Sequence, residues 1–221
     1  MTGAQLAGVE EVLLKEMPDY VLVYGDTSST LAGALAAVKL HIRVAHVEAG
    51  LRSFNRRMPE EINRIVTDHV SNFLFAPTET AVGHLVHEGI ETAECHQIGD
   101  VMFDAALIFG ERARASSVIL KKLGVEAGAF VLATIHRAEN TDDLSRLKVI
   151  LGSFRAIGEK MPVVWPIHPR TRKMLKQDGL KELLGGKVLP IEPVGYLDMV
   201  MMKQSAALIA TDSGGVQKEA L

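Results

Sequence analysis

Several short stretches of the chain place carboxylates where they could give and take protons. Gly25-Asp26-Thr27-Ser28-Ser29-Thr30 and His46-Val47-Glu48-Ala49-Gly50-Leu51-Arg52 each set an acid directly after an apolar, Val-rich run. Pro59-Glu60-Glu61-Ile62-Asn63-Arg64 sets two more at the start of a helical period. Acids gathered in this way suit general acid–base work. Each also has a plainer reading. Asp26 could cap the helix after it, since a short acidic side chain satisfies the free N–H groups of a first turn. Glu48 would be costly to bury unless Arg52 or Arg64 paired with it. Glu60 and Glu61 behind a proline are good electrostatics for a helix start, and Glu60 and Arg64, four apart, share a face.

The second half offers groups suited to anions. His136 and Arg137, in Thr134-Ile135-His136-Arg137-Ala138-Glu139-Asn140, form a phosphate-facing pair if the loop opens on a ligand. Otherwise His136 is a hydrogen-bonded structural residue, with Asn140 or Thr141 capping a helix near Asp142. Trp165-Pro166-Ile167-His168-Pro169-Arg170 repeats the arrangement one unit later, where proline suits a helix start as well as a ligand. Thr211-Asp212-Ser213-Gly214-Gly215-Val216-Gln217-Lys218-Glu219-Ala220 is the most specific local signal. At Ser213, Gly214 and Gly215 the backbone N–H groups of a helix start could approach a diphosphate, because no bulky side chain intervenes. There is no Walker lysine and no G-x-G-x-x-G spacing. Glu219, one turn further, could accept hydrogen bonds from ribose hydroxyls, or be an ordinary exposed helical glutamate. His84 and His87 lie near a helix end without metal-ligand spacing, and no H-E-x-x-H occurs, so no metal is expected. Met199, Met201 and Met202 fit helical core packing.

The elements that must position these groups alternate. Strands are expected at 20–24, 43–47, 73–76, 94–98, 130–135, 163–167, 188–191 and 207–210, each followed by Gly, Asp, Pro or His and then a helical period. That is the pattern of βα units in a parallel sheet, whose ligands bind beyond the carboxyl ends of the strands. Two helical stretches without a strand fill the interval from Asp100 to Gly124, and a new series begins at Phe130. The expected domains are therefore 1–112 and 113–221, though the two series alone could also build one larger sheet.

Composition narrows the class. With 221 residues, 48% hydrophobic and 23% charged, the chain can bury a real core. Its apolar runs are far shorter than the ~20 residues that span a bilayer, and no basic-then-apolar leader opens it. A net charge of -3 with mixed signs leaves no nucleic-acid footprint. The single cysteine, Cys95, rules out an internal disulfide framework and fits a reducing, cytoplasmic compartment. Residues 6–17 read as a helix in mid-architecture and 217–221 as the first turn of another, so a fragment of a longer protein is expected.

As an ordered set, Gly25-Asp26-Thr27, His46-Val47-Glu48-Ala49-Gly50-Leu51-Arg52, Pro59-Glu60-Glu61-Ile62-Asn63-Arg64, Ile135-His136-Arg137-Ala138-Glu139-Asn140, His168-Pro169 and Asp212-Ser213-Gly214-Gly215 resemble the non-hydrolysing UDP-N-acetylglucosamine 2-epimerases. The resemblance covers almost the whole chain. It implies an α/β fold of two Rossmann-like, doubly wound parallel-sheet domains facing a cleft (GT-B-like), here both incomplete: a first βα unit with a Gly-Thr-Arg-Pro loop, and the sequence after Ala220, are lacking. It implies that Asp26, Glu48 and Glu60 are the proton-transferring carboxylates and that His136 is essential. Arg64, Arg137, His168, Ser213, Gly214, Gly215 and Glu219 become the substrate- and UDP-binding residues. The implied reaction interconverts UDP-GlcNAc and UDP-ManNAc by elimination and re-addition of UDP, with no cofactor, in polysaccharide biosynthesis. A UDP-sugar is the implied partner, with no nucleic acid and no membrane, and the full-length protein is expected to be a homodimer. Alternatives are an epimerase of a UDP-2,3-diacetamido uronic acid sugar, a GT-B glycosyltransferase, or an inactive nucleotide-sugar-binding fragment.

Overall fold

The computed structural model describes residues 2–177, 180 and 184–220. Met1 and Leu221, which the expected domain limits include, lie outside the described residues. Two compact units, Met1–Val101 and Met102–Leu221, make up the chain.

In the first unit the elements run α1 (Thr2–Glu16), β1 (Tyr20–Tyr24), α2 (Ser28–Lys39), β2 (Arg43–Val47), α3 (Pro59–Val70), β3 (Phe73–Ala76), α4 (Glu79–His87), a short 3-10 turn (Thr92–Glu94) and β4 (Cys95–Gln97). The strands pair in parallel in the order β1-β2-β3-β4. Register sets Tyr24 opposite Val47 and Val47 opposite Phe75, so the chain leaves β1 and β2 at the same level of the sheet. α2 is built of small residues, and Ala34, Ala36 and Ala37 lie close against Val23, Val44 and Leu13 of α1 in one core. Leu74 and Ala76 of β3 pack with Ala49, Ala81 and Leu85 in another. Four successive residues of β2, Val44–Val47, are buried, as expected of a parallel strand covered on both faces. Gly50 has φ +78, and a Cβ there would lie 2.3 Å from the Ala81 carbonyl oxygen. Only glycine fits that close crossing.

The second unit contains α5 (Val101–Ser116), α6 (Ile119–Leu123), β5 (Val131–Thr134), α7 (Ala138–Thr141), α8 (Leu144–Gly158), β6 (Val163–Pro166), α9 (Pro169–Gln177), β7 (Val188–Ile191), α10 (Tyr196–Ser205), β8 (Leu208–Thr211) and α11 (Gly214–Glu219). α5 docks on α10, through Phe109 edge-on to Tyr196 and Arg114 donating to Gln204 Oε1 at 2.9 Å. The compact units accordingly divide at 101/102, whereas the sequence reading draws its boundary at 112/113. Alternation along β5 and β6 sorts the core into two layers. Val131, Ala133, Val163 and Trp165 meet Leu147, Leu151 and Phe154 of α8 on one side. Leu132 and Val164 meet Ile119 of α6 and Met202 of α10 on the other, with Met199 and Met201 beside them. The methionines are core residues, as their spacing indicates.

All eight expected strands are present, within a residue or two at their ends. The second sheet is parallel in the order β7-β6-β5-β8. Strands β5, β6 and β7 therefore advance in one direction and β8 returns to the other side of β5. The connection reverses between β5 and β8, the place where open α/β sheets hold ligands. Two expected caps fall elsewhere. Thr27, not Asp26, caps α2, and Asp143, not Asn140 or Thr141, caps α8 by accepting from Ser145 N and Arg146 N. No described helix is long and apolar enough to cross a membrane.

Candidate functional site

The first unit gathers its acids at the carboxyl ends of β1 and β2. Gly25 turns the chain out of β1 with φ +65, and a Cβ there would lie 3.2 Å from Glu48 Oε2. Glu48 itself takes φ +73, a costly conformation for a glutamate, while its N–H donates to Phe75 O at 3.1 Å. Asp26, freed from capping, points its carboxylate at α3, where Arg64 Nη2 donates to Oδ2 at 2.5 Å. Arg64 Nη1 also donates to Glu61 Oε2 at 2.9 Å. Asp26, Glu48 and Arg64 are therefore brought together around one turn.

Glu60 and Glu61 part company. Glu60 is exposed, whereas Glu61 is buried and accepts from Ser53 N, Ser53 Oγ and Phe54 N at 2.8, 2.9 and 2.8 Å. Burial alone would raise the Glu61 carboxyl; the Ser53 and Phe54 donors and the Arg64 guanidinium outweigh it and hold the group below its usual range. The ion pairs described for Arg64 are with Asp26 and Glu61, so the expected Glu60–Arg64 face-sharing does not become a pair.

Beneath this turn lies a buried polar hub that the sequence reading does not single out. Asp68 meets His46 Nδ1 at 2.7 Å, Arg52 Nη1 at 2.7 Å and Gly50 N at 3.1 Å. Arg52 also grips Glu88 with two hydrogen bonds of 2.7 Å, which hold the Glu88 carboxyl below its usual range. Burial works to lower the Arg52 guanidinium, but Glu88 and Asp68 raise it on balance. Arg52 thus pairs with Asp68 and Glu88, and Arg64 with Asp26 and Glu61. Among the described residues no group of three or more His, Cys, Asp or Glu could hold a metal.

In the second unit the loops after β5 and β8 flank the switch point and are tied together by Asp212. Its carboxylate accepts from His136 N, Arg137 N and Asn140 Nδ2 at 3.1, 3.0 and 2.9 Å, and His136 Nδ1 lies 3.1 Å away. Thr134 Oγ1 donates to Thr211 Oγ1 at 2.6 Å, which in turn accepts from Ser213 N at 2.9 Å. A cavity of about 250 Å³ opens here, with His136, His168, Ser213, Met199 and Val216 in its wall. The Ser213 hydroxyl caps α11 by accepting from Val216 N, which leaves its hydrogen for a ligand acceptor. Gly214 and Gly215 begin α11. Arg137 Nη1 reaches Glu139 Oε1 at 3.7 Å.

Glu219 departs from the reading of it as an ordinary exposed helical glutamate. It is 8% exposed, not a solvent-facing glutamate, and its carboxylate is hydrogen-bonded to buried Lys203 of α10. Burial, followed by the Glu219 carboxylate, raises the Tyr196 phenol. The structure therefore assembles Asp26, Glu48 and Arg64 in one unit and His136, His168 and Ser213 in the other. Glu60 lies on the exposed first turn of α3, and Glu219 lies beneath α11 in its pair with Lys203. Asp212 was legible as part of the Thr-Asp-Ser-Gly-Gly turn. Asn63 was legible only as a member of the Pro-Glu-Glu-Ile-Asn-Arg run, without a role of its own, and Asp68 and Lys203 had no such signal, because each sits in an ordinary helical period.

Comparison with known proteins shows the family. The chain matches the UDP-N-acetylglucosamine 2-epimerase family model over residues 1–221. It is 54% identical over 223 residues to a UDP-2,3-diacetamido-2,3-dideoxy-D-glucuronate 2-epimerase of Pseudomonas aeruginosa, covering 100% of this chain and 60% of that protein. It is 47% identical over 225 residues to a UDP-N-acetylglucosamine 2-epimerase of Methanococcus maripaludis, covering 99% of this chain and 62% of the relative. The crystal structure of Methanocaldococcus jannaschii UDP-GlcNAc 2-epimerase in complex with UDP-GlcNAc and UDP matches with a TM-score of 0.89 at 49% identity, over 99% of this chain and 62% of that one. The chain thus spans less than two thirds of these relatives, and its α/β architecture is that of the GT-B-like epimerases. It belongs to the UDP-N-acetylglucosamine 2-epimerase family.

Proposed function

We propose that this chain carries the chemistry of a UDP-N-acetylglucosamine 2-epimerase, interconverting UDP-GlcNAc and UDP-ManNAc. The observation that carries the reading is the convergence of His136, His168 and Ser213 on one cavity at the switch point of the second sheet. That is where a nucleotide diphosphate fits an open parallel sheet.

The hydrogen on C2 sits beside an acetamido nitrogen, not a carbonyl, so a simple carbanion has no good sink. Elimination avoids it. A carboxylate takes the C2 proton, the C–H electron pair becomes the C1–C2 double bond, and UDP leaves with the electrons of the C1–O bond. A proton delivered to the opposite face of C2 and return of UDP to C1 complete the inversion. Asp26, Glu48 and Glu60 are the candidates for the proton steps. His136 and Arg137 stabilise the departing diphosphate, which Ser213, Gly214 and Gly215 hold. Arg64 keeps Asp26 oriented, His168 lines the diphosphate cavity, and Glu219 is the candidate for the ribose. The substrate is a UDP-sugar, the enzyme acts as a homodimer, and the single cysteine supports a cytoplasmic setting.

A second reading has its own support, the 54% identity to the diacetamido-glucuronate 2-epimerase. A substrate panel without any acceptor separates the possibilities. The manno epimer from UDP-GlcNAc supports the first reading, and epimerisation of the diacetamido uronate alone supports the second. Product that needs an acceptor indicates a glycosyltransferase, and saturable UDP binding without product indicates a binding fragment.

A further inference from the structure

Three consecutive carbonyl oxygens at the end of β1 each receive a side-chain hydrogen bond from a different place in the first unit. Thr30 Oγ1 donates to Tyr24 O at 2.6 Å, His46 Nε2 to Gly25 O at 2.8 Å, and Asn63 Nδ2 to Asp26 O at 2.8 Å. A carbonyl only accepts, so the ring nitrogen facing Gly25 carries a hydrogen and the Asn63 amide is turned nitrogen-first. The last two bonds matter most. Gly25 O belongs to the peptide plane before the Asp26 Cα, and Asp26 O to the plane after it. Peptide units are rigid, so pinning both planes fixes both backbone torsions of Asp26 and with them the direction of its Cα–Cβ bond.

The two donors are themselves held. His46 is fully buried, with Nδ1 on Asp68, whose other oxygen takes Arg52 and Gly50 N. Asn63 is 7% exposed and directly precedes Arg64, which grips the Asp26 carboxylate. α3 therefore holds Asp26 twice, at its carbonyl and at its acid, and β2 holds the peptide before it. Helix capping needs none of this, because Thr27 already supplies the cap.

We infer that His46 and Asn63 are positioning residues for proton transfer, acting through the backbone on either side of Asp26; this rests on the epimerase reading above. Proton transfer is steep in geometry, and displacements near 1 Å cost up to about a hundredfold in rate.

The test uses the fact that glutamine places its amide nitrogen near the Nε2 position of histidine, and asparagine near Nδ1. His46→Gln keeps the bond to Gly25 O, while His46→Asn keeps only the one to Asp68. With UDP-GlcNAc in D2O, His46→Asn and Asn63→Leu should each lower kcat at least about tenfold, with KM and UDP affinity unmoved, the rate equivalent of one lost hydrogen bond. His46→Gln should stay within about threefold of the parent, a loss too small for a missing hydrogen bond. Hydrogen exchange of the Gly25 amide, bonded to Val47 O at 3.1 Å, should quicken in His46→Asn and not in His46→Gln. Equal losses in the two His46 variants, or an unchanged kcat in Asn63→Leu, overturn the inference. If His46→Asn fails to fold, Asn63→Leu decides. A parent chain without turnover refutes the epimerase reading instead, and the Gly25 amide then decides the inference by itself.

Discussion

Arg64 Nη2 lies 2.5 Å from Asp26 Oδ2, and this contact joins the turn after β1 to the first turns of α3. The same guanidinium holds Glu61, so one planar fork orients two acids at once. Arg64→Lys should not rescue the arrangement, because an ammonium is a point donor without the fork geometry. We expect Arg64→Lys and Arg64→Met each to reduce C2 exchange at least about tenfold, and Arg64→Met to cost about 1–2 kcal/mol of stability at this partly exposed pair. A parent-like exchange rate in Arg64→Lys would contradict the orienting role.

Asp68 is the centre of a fully buried charge network. Asp68→Asn keeps the shape but takes the facing carboxylate from His46 and leaves Arg52 with Glu88 alone. Removing one member of a buried ionic set costs about 3–5 kcal/mol, read as a shift in the urea midpoint. A loss under about 1 kcal/mol would mean that the network relaxes freely.

Acid sensitivity follows from Glu61. Its folded carboxyl lies below the ordinary value of 4.5, through the Ser53, Phe54 and Arg64 contacts that outweigh burial. A depressed folded value means the unfolded chain binds the proton more readily. The contribution to stability is thus complete above the ordinary value and is lost as pH falls through the folded one. Glu88 adds to it with the same sign, chiefly through Arg52. Unfolding free energy should decline as pH drops below about 4.5, and Glu61→Gln should flatten that decline. An identical pH profile in Glu61→Gln would refute the assignment.

Asp212 joins the loops that carry His136 and Ser213. Asp212→Ala removes the acceptor for His136 N, Arg137 N and Asn140 Nδ2 together. UDP affinity should fall at least about tenfold by calorimetry, the worth of a lost hydrogen bond or more. For His136→Ala, lower turnover with weaker UDP binding fits a role on the diphosphate, whereas lost turnover with normal UDP binding would count against it.

Gly50→Ala should be among the most damaging single-methyl changes. The new Cβ would fall 2.3 Å from the Ala81 carbonyl oxygen on a backbone at φ +78. Such a clash at a left-handed position should cost at least about 2–3 kcal/mol, measured as a lowered melting temperature. An unchanged melting temperature would show that α4 can move aside.

Much of the fold was legible because buried parallel strands leave short Val- and Ile-rich runs ending in Gly, Asp, Pro or His. The positions of Asp26, Glu48, His136 and Ser213 follow from those strand ends. The partners were less legible. Hydrophobic periodicity tells which face of α3 is apolar, but not that Asn63 and Asp68 turn inward to polar contacts. Glu219 could be read as a ribose contact or as a surface glutamate, and its burial was not legible because Lys203, which pairs with it, comes from another helix. Asp26 and Thr27 are both good caps, and only the structure shows that Thr27 takes the cap while Asp26 pairs with Arg64.

On the proposed function, this chain moves the C2 proton of a UDP-sugar. UDP-GlcNAc incubated with the protein in D2O and followed by NMR tests it directly. Deuterium at C2 together with the manno epimer is expected, both abolished in Asp26→Asn. Saturable UDP binding with no deuterium at C2 would contradict it, leaving a nucleotide-sugar-binding chain that does not perform the chemistry.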